Sequence, residues 1–307
     1  MPKLKMDILD AMKRRLVLFD GGMGTMLIAA GLEPGKAPES WLLKRPEEIA
    51  TVHRAYLEAG AEVITTATFG ANRLRLASSP SGRALDPSQL NATAARIVRE
   101  AMSGESCSDR FLAGGIGPTG RFFPPIGALT QEEARAAFRE QAEALEGAGV
   151  DLFLIETMVD LREALEALRA VRDVSSRPVI VCLTFERKPR GFFTLFGDTP
   201  QRAVDFLLPA GADGLGANCT IGSGEMIELA RLFRPLTEAP LLFQPNAGQP
   251  VIGEGVPTYR QQPAEFAEDL KALAQVGANA VGGCCGTTPE FIRQAHGRLF
   301  PVPPFNQ

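Results

Sequence analysis

The feature that most constrains the fold is an eightfold succession of short apolar segments, each followed by a glycine-rich or polar turn. They are Leu16–Asp20, Val63–Thr68, Phe111–Ile116, Leu152–Glu156, Val179–Thr184, Gly214–Asn218, Leu241–Gln244 and Ala280–Gly283. Nearly continuous apolar runs of this length are typical of parallel strands that are buried on both faces. Segments with helical periodicity lie between them, and Thr130-Gln-Glu-Glu133 forms a capping box at the start of one such segment.

Four glycines fix the direction of these units. Gly60, Gly149, Gly211 and Gly277 each end a predicted helix just before a strand, where glycine supplies the left-handed conformation that stops a helix. The repeated order of strand, loop, helix and glycine predicts an α/β fold, a (β/α)8 TIM barrel that forms a single domain over residues 1–307. A doubly wound open sheet is the alternative, but no G-x-G-x-x-G motif opens a helix after the first strand.

Charge and hydropathy exclude two classes of partner. The chain has 32 Lys and Arg against 36 Asp and Glu, a formal charge of −4, so no basic excess is available to neutralise the phosphates of a nucleic acid. No apolar run approaches the roughly 18 residues of a membrane helix, and the N-terminal residues lack the apolar core of a signal peptide. We therefore expect a cytoplasmic protein that binds neither nucleic acid nor membrane.

The five cysteines are Cys107, Cys182, Cys219, Cys284 and Cys285. An odd number favours metal-binding or reactive thiols in a reducing compartment over a disulfide framework. Cys182 lies within an apolar strand, so we expect it in the core. Cys107 lies in a polar stretch that is typical of a surface loop, and we assign it no role.

The other three cysteines follow predicted strands, at the end where a TIM barrel builds its site. Cys219 follows the sixth strand, and Cys284 and Cys285 follow the eighth, where flanking glycines let the backbone turn both sulfurs inward. Three thiolates with an open fourth position match a catalytic zinc site, and soft sulfur ligands select zinc over magnesium or calcium. The alternative is that these cysteines are small buried hydrophobic residues.

Two carboxylates, Asp20 and Glu156, also come directly after apolar strands. They are candidates for an acid/base pair, for a site that binds a substrate ammonium group, or for structural salt bridges in the barrel mouth. The backbone N–H groups of Gly21 and Gly22 beside Asp20 suit a substrate carboxylate. An ammonium site, a carboxylate site and a metal that accepts a thiolate together describe a thiol amino acid.

The two histidines, His53 and His296, both fall on predicted helices rather than at strand ends. We interpret His53 as a packing residue and His296 as a residue that stabilises the end of its helix. A Ser-His-Asp or Cys-His mechanism would therefore lack its base.

Motifs along the whole chain resemble the homocysteine S-methyltransferase family. They are Phe19-Asp-Gly-Gly-Met-Gly-Thr25, Thr68-Phe-Gly-Ala-Asn72, Glu156-Thr157, Asn218-Cys219, Pro245-Asn246-Ala-Gly248 and the highly specific Gly282-Gly-Cys-Cys-Gly-Thr-Thr-Pro289. The resemblance implies a zinc-bearing (β/α)8 barrel that transfers a methyl group to the sulfur of homocysteine, giving methionine.

The resemblance also implies roles for single residues. The implied zinc ligands are Cys219, Cys284 and Cys285, with Asn246 in the fourth position until the substrate thiolate displaces it. The implied substrate-binding residues are Asp20 and Glu156 at the amino group, Gly21 and Gly22 near the carboxylate, and Asn218.

The methyl donor is a separate question. Gly286-Thr-Thr-Pro289 together with Pro245-Asn-Ala-Gly248 is most similar to the cobalamin-dependent methionine synthase branch, which implies a methyl-corrinoid such as methylcobalamin. No folate-binding barrel, cobalamin module or reactivation domain follows Gln307, so we expect an excised fragment or a subunit that meets a corrinoid protein. The alternatives are direct use of S-methylmethionine or betaine, or a non-catalytic zinc- or thiol-binding barrel.

Overall fold

A single closed sheet forms the centre of the protein. The computed structural model describes residues 6–33, 36–78, 82–103, 110–253 and 256–301. Its eight parallel strands, β1 to β8, are Val17–Leu18, Val63–Thr65, Phe111–Ile116, Leu152–Met158, Val179–Leu183, Gly214–Gly222, Leu241–Asn246 and Ala280–Val281. Each strand pairs with its neighbours in chain order, β1 pairs with β8, and a parallel bridge between Phe19 and Val63 joins β1 to β2. The predicted (β/α)8 barrel is thereby confirmed.

Helices surround this barrel. Among the described residues they are α1 to α12: Ile8–Arg14, Met23–Ala29, Trp41–Lys44, Pro46–Glu58, Arg73–Leu76, Pro87–Met102, Gln131–Gly147, Leu161–Arg172, Pro200–Leu207, Ser223–Phe233, Pro263–Val276 and Pro289–Leu299. The capping box at the start of α7 is confirmed, because Thr130 and Glu133 each bond the other's backbone N–H. No helix in the described part of the chain could cross a membrane.

The four glycines that were predicted to stop helices all have positive φ angles, between 76° and 106°. This conformation is confirmed at Gly60, Gly149, Gly211 and Gly277. Each of these residues turns the chain back towards the start of a strand, which keeps the strands parallel.

The inside of the barrel is a packed apolar core, as in other TIM barrels. Side chains such as Phe19, Leu154 and Cys182 fill it, and Ile8 and Met12 of α1 pack against them. The carbonyl of Met12 accepts a hydrogen bond from Asn279, directly before β8, so α1 closes the end at which the strands begin. Cys182 is fully buried, as expected. Cys107 lies outside the described residues.

Several parts of the sheet differ from the sequence-based prediction: β7 runs on to Asn246, past the predicted end at Gln244, and β2 already ends at Thr65. β4 and β6 run on to Met158 and Gly222, past the predicted ends at Glu156 and Asn218. Two short antiparallel hairpins, Glu186–Lys188 with Gly191–Phe193 and Val251–Gly253 with Val256–Thr258, are inserted after β5 and β7. Both hairpins lie on the side where the strands end, so they add to the walls of that face.

Candidate metal centre and substrate cavity

The carboxyl ends of the strands open into one cavity of about 770 Å³. The residues of the predicted site that line it are Asp20, Gly21, Gly22, Glu156, Cys219, Cys284 and Cys285. Asn218 and Asn246 are almost fully buried and hydrogen-bond to residues of this lining. The structure thus brings together every residue that the sequence singled out for the site.

The three thiols form a compact cluster. Their Sγ atoms lie within 4.8 Å of one another, and Sγ of Cys219 is 3.8 Å from Sγ of Cys285. Zn–S bonds of about 2.3 Å in tetrahedral geometry place two sulfurs about 3.8 Å apart. Cys219, Cys284 and Cys285 could therefore hold a metal ion.

The backbone of β6 turns Cys219 into this cluster. Cys219 and Thr220 have φ angles of 61° and 62°, which are uncommon for residues other than glycine. The pairing of β6 with β7 is irregular between Asn218 and Gly222. A bulge of this kind re-aims a side chain at the end of a strand, and strained residues of this kind cluster at functional sites.

Close backbone contacts hold the other two thiols. The N–H of Cys284 donates to the carbonyl of Pro245 at 2.9 Å, and the carbonyl of Cys285 accepts from Ala247 at 3.0 Å. A Cβ atom on Gly283 would overlap the side chain of Thr287. The turn from β8 into the cysteine pair therefore requires glycine at position 283.

Hydrogen bonds concentrate negative charge on one sulfur. The thiols of Cys219 and Cys284 donate to Cys285, which lowers the pKa of Cys285 to about 3. Donation to the other two sulfurs, together with burial, raises the pKa of Cys284 well above its usual value. The pKa of Cys219 is also raised, to about 12, so the cluster favours one thiolate, at Cys285, beside two neutral thiols.

Tyr259 is a site residue that sequence reasoning missed. Its side chain lies close enough to Cys285 to help lower the pKa of that thiol, it lines the cavity, and its ring lies against Gly286, where a Cβ would overlap it. Burial and the nearby cysteine sulfurs raise the pKa of Tyr259 above its usual value, so its phenol is a hydrogen-bond donor. Its location on the loop after β7, at the site-bearing end of the barrel, is the one signal that could have found it.

Asn246, the last residue of β7, lies directly beside the cluster. Its Oδ1 accepts a hydrogen bond from the backbone N–H of Cys285 at 3.1 Å, and the residue is 2% exposed. In this arrangement the carboxamide oxygen helps to fix the backbone of a thiol residue.

Asp20 and Glu156 form the second part of the site. Asp20 is 5% exposed and accepts hydrogen bonds from the backbone N–H of Thr65 at 2.8 Å and from its hydroxyl at 3.2 Å. Burial raises the pKa of Asp20 to about 7 in spite of these bonds. Burial and the negative charges of Asp20 and Cys285 raise the pKa of Glu156 to about 8. The pair is thus poised to accept a cation.

Asn218 connects the carboxylates to the thiols. Its Nδ2 donates to Glu156 Oε2 at 3.3 Å, to Thr157 Oγ1 at 2.8 Å and to Cys284 Sγ at 3.8 Å. Its Oδ1 accepts from the N–H of Thr157 at 2.7 Å, and Thr157 itself has a φ of 60°. One carboxamide therefore sets the spacing between the two parts of the site.

The backbone N–H groups of Gly21 and Gly22 differ in whether a protein group accepts a hydrogen bond from them. The N–H of Gly22 donates to the carbonyl and the hydroxyl of Thr287, at 3.3 and 3.1 Å. The N–H of Gly21 has no acceptor within the described ranges, and Gly21 lines the cavity. Of the two, Gly21 is therefore the amide free to bind an anionic group.

Fold and site together define a TIM barrel with a cluster of three cysteines, which could hold a metal ion, at the carboxyl ends of its strands. The model of the homocysteine S-methyltransferase family matches residues 17–299, and the chain belongs to that family.

Two curated relatives are mycobacterial methionine synthases. The Mycobacterium tuberculosis protein is 35% identical over 301 residues, which are 94% of this chain and 25% of the relative. The Mycobacterium leprae protein is 34% identical over 303 residues, 94% of this chain and 24% of the relative. The chain spans about a quarter of the length of these relatives.

A solved structure matches along its whole length. The metallated form of the homocysteine methyltransferase MmuM from Escherichia coli has a TM-score of 0.76 and 25% sequence identity. The match covers 93% of this chain and 97% of that one. The likeness thus extends over nearly all of both chains.

Proposed function

We propose that the protein transfers a methyl group to the sulfur of homocysteine, giving methionine, at a zinc ion held by Cys219, Cys284 and Cys285. The observation that carries the proposal is the cavity in which three clustered thiols lie beside two carboxylates, Asp20, which is almost fully buried, and Glu156, which is partly buried. We take the domain to span residues 1–307, and we propose a methyl-corrinoid, carried on another domain or protein, as the donor.

The carboxylates would hold the substrate by its ammonium group. Burial raises the pKa of Asp20 and of Glu156, and the negative charge of Asp20 raises the pKa of Glu156 further. An ammonium group between them would restore both to the ionised state, since an opposite charge favours the charged form. The free N–H of Gly21 would donate a hydrogen bond to the substrate carboxylate. Asn218, which contacts both Glu156 and Cys284, would fix the distance between the carboxylate of Glu156 and the thiols.

The thiol cluster would hold the metal, and zinc, when bound, acts as a Lewis acid that lowers the pKa of a thiol placed on it. Asn246 would occupy the fourth position before homocysteine enters. The proton of homocysteine would leave to solvent, and the sulfur would then attack the methyl group as its bond to the donor breaks. No histidine is needed as a base, which agrees with the burial of His53 in α4.

Support for the corrinoid donor comes from the relatives, which are named methionine synthases and are about four times the length of the matched region. Direct methylation by S-methylmethionine or betaine is the second candidate. It is favoured by one observation, the match to 97% of MmuM, a homocysteine methyltransferase of this chain's own length.

The test supplies homocysteine with one donor at a time, at equal concentrations. We expect slow demethylation of free methylcobalamin, with formation of methionine and the reduced corrinoid. A separate methyl-corrinoid protein should be much faster, because docking places the methyl group in line with the sulfur, whereas betaine and S-methylmethionine should be poor donors. Robust turnover of S-methylmethionine with none from any methyl-corrinoid would contradict the corrinoid assignment.

A further inference from the structure

The cavity has room for a second reactant beside homocysteine. Its volume of about 770 Å³ lies within the range, roughly 300–1,000 Å³, of pockets that enclose drug-sized ligands. Thiols and carboxylates form one part of its wall. The rest comes largely from α2, from residues 36–39 and from residues 65–78. This second part contains none of the residues assigned to the metal or to homocysteine.

Arg75 lines this second part and is held there by its surroundings. It belongs to α5, and its backbone N–H is capped by Asn72 Oδ1 at 2.8 Å. A Cβ on Gly70 would lie 3.2 Å from its Cγ, and a Cβ on Gly120 would overlap its guanidinium. The arginine side chain therefore passes through a slot that exists because both flanking residues are glycine.

Arg75 is exposed to solvent, and its guanidinium makes no hydrogen bond to the described carboxylates around it. Two carboxylates, Glu39 and Glu163, lie close enough to interact with its charge. Both are engaged elsewhere: Glu39 accepts from the N–H of Gly70 at 2.6 Å, and Glu163 accepts from the N–H and hydroxyl of Thr119 at 2.8 and 2.6 Å. In the part of the chain that the structure describes, no group accepts a hydrogen bond from the guanidinium.

We propose that Arg75 binds an anionic group of the methyl donor, a carboxylate or a phosphate. The inference rests on the proposed function and names a second subsite in the same cavity. The planar fork of a guanidinium matches both anions with two parallel hydrogen bonds, and Lys36 adds a further positive charge to the lining. Betaine and S-methylmethionine carry a carboxylate, and methylcobalamin carries a phosphate in its nucleotide loop.

The test measures the binding of the three donors by calorimetry, without homocysteine, on the full chain and on Arg75→Gln. We expect the dissociation constant of a donor that binds to rise about ten- to a hundredfold, while homocysteine affinity and metal content stay unchanged. Arg75→Lys keeps the positive charge but loses the planar fork of the guanidinium. Its dissociation constant for the donor should therefore lie between those of the wild type and Arg75→Gln. Arg73→Gln is the matched control, because Arg73 lies on the same helix but pairs with Glu140 on the surface.

The outcomes separate the two donor chemistries. A loss confined to betaine and S-methylmethionine identifies a carboxylate, a loss confined to methylcobalamin identifies a phosphate, and either supports the subsite. Unchanged binding of all three donors overturns it, as does a failure of the wild-type protein to bind any of them or an equal loss of homocysteine affinity. Loss of donor binding in Arg75→Gln, with no turnover in the wild type, would keep the subsite and contradict the proposed function.

Discussion

The side chain of Tyr259 lies close enough to Cys285 to help lower the pKa of that thiol, and its ring lies against the next residue, Gly286. This contact joins the loop after β7 to the thiols that follow β8. A partner of a metal ligand holds that ligand in place and tunes its charge. If the cysteines hold a metal ion as proposed, Tyr259 is a positioning residue for that centre.

The first prediction removes the Tyr259 hydroxyl from the neighbourhood of Cys285. In Tyr259→Phe we expect metal affinity to fall by about ten- to a hundredfold, as is typical when the partner of a metal ligand is lost. Competition with a chelator would measure the change. Tyr56→Phe is the matched control, because the Tyr56 hydroxyl bonds the carbonyl of Thr287 and not a sulfur. Equal metal affinity in the two variants would show that the contact with Cys285 is incidental.

The second prediction concerns the metal ligands. Replacing Cys219, Cys284 or Cys285 by Ala should remove the metal and the methyl transfer together, because two sulfurs leave the ion without a stable set of ligands. Cys182→Ala should keep the metal, since Cys182 lies in the barrel core. X-ray absorption should show three sulfurs in the wild type and a fourth after homocysteine is added. Full metal retention in all three site variants would refute the assignment.

The third prediction concerns Asn218. In Asn218→Ala the carboxylate of Glu156 loses its hydrogen-bond donor, so homocysteine should bind about tenfold more weakly. Asn91→Ala is a comparable deletion of a buried amide, which bonds the carbonyls of Ala71 and Pro87 away from the site. Thermal unfolding and homocysteine titration of both variants separate the effects. A lower melting temperature with unchanged homocysteine affinity in both would make Asn218 purely structural.

Much of the fold could be predicted because each strand is encoded locally. Apolar runs and the glycines before them set where strands begin, as at Val63 and Leu152. The ends of β4 and β6 could not be predicted in the same way. Thr157 and Cys219 adopt left-handed backbone conformations that their residue types disfavour, and only tertiary contacts such as those of Asn218 hold them there.

Site residues could be predicted where the residue type itself suggests a chemical role. They were missed where the role depends only on which residues lie nearby in the fold. Three cysteines and two carboxylates at strand ends carry their own chemical signal. Tyr259 and Arg75 do not, because a phenol and a guanidinium are common on surfaces. Their importance comes from long-range neighbours, Cys285 for the first and the glycine slot at positions 70 and 120 for the second.

The fourth prediction concerns stability in the absence of substrate. Burial raises the pKa of Asp20 from 3.8 to about 7 and that of Glu156 from 4.5 to about 8. Between about pH 4 and pH 8 the folded state therefore binds more protons than the unfolded state. The free energy of unfolding should fall as the pH rises through this range. Asp20→Asn and Glu156→Gln should flatten the fall and stabilise the ligand-free protein above about pH 8. Denaturant titrations at a series of pH values measure the free energy of unfolding. If the variants and the wild type show the same dependence on pH, the raised pKa values of Asp20 and Glu156 are contradicted.

The same two carboxylates should make substrate binding depend on pH in the opposite sense. An ammonium ligand needs both groups ionised, so affinity should rise as protons leave Asp20 and Glu156 between about pH 6 and pH 8.5. Methionine is the cleaner probe, because its thioether has no proton to lose at the metal. Its dissociation constant should fall at least about tenfold over this range in the wild type and stay nearly constant in the double variant Asp20→Asn, Glu156→Gln. Equal methionine affinity at both ends of the range would mean that these carboxylates do not hold the amino group.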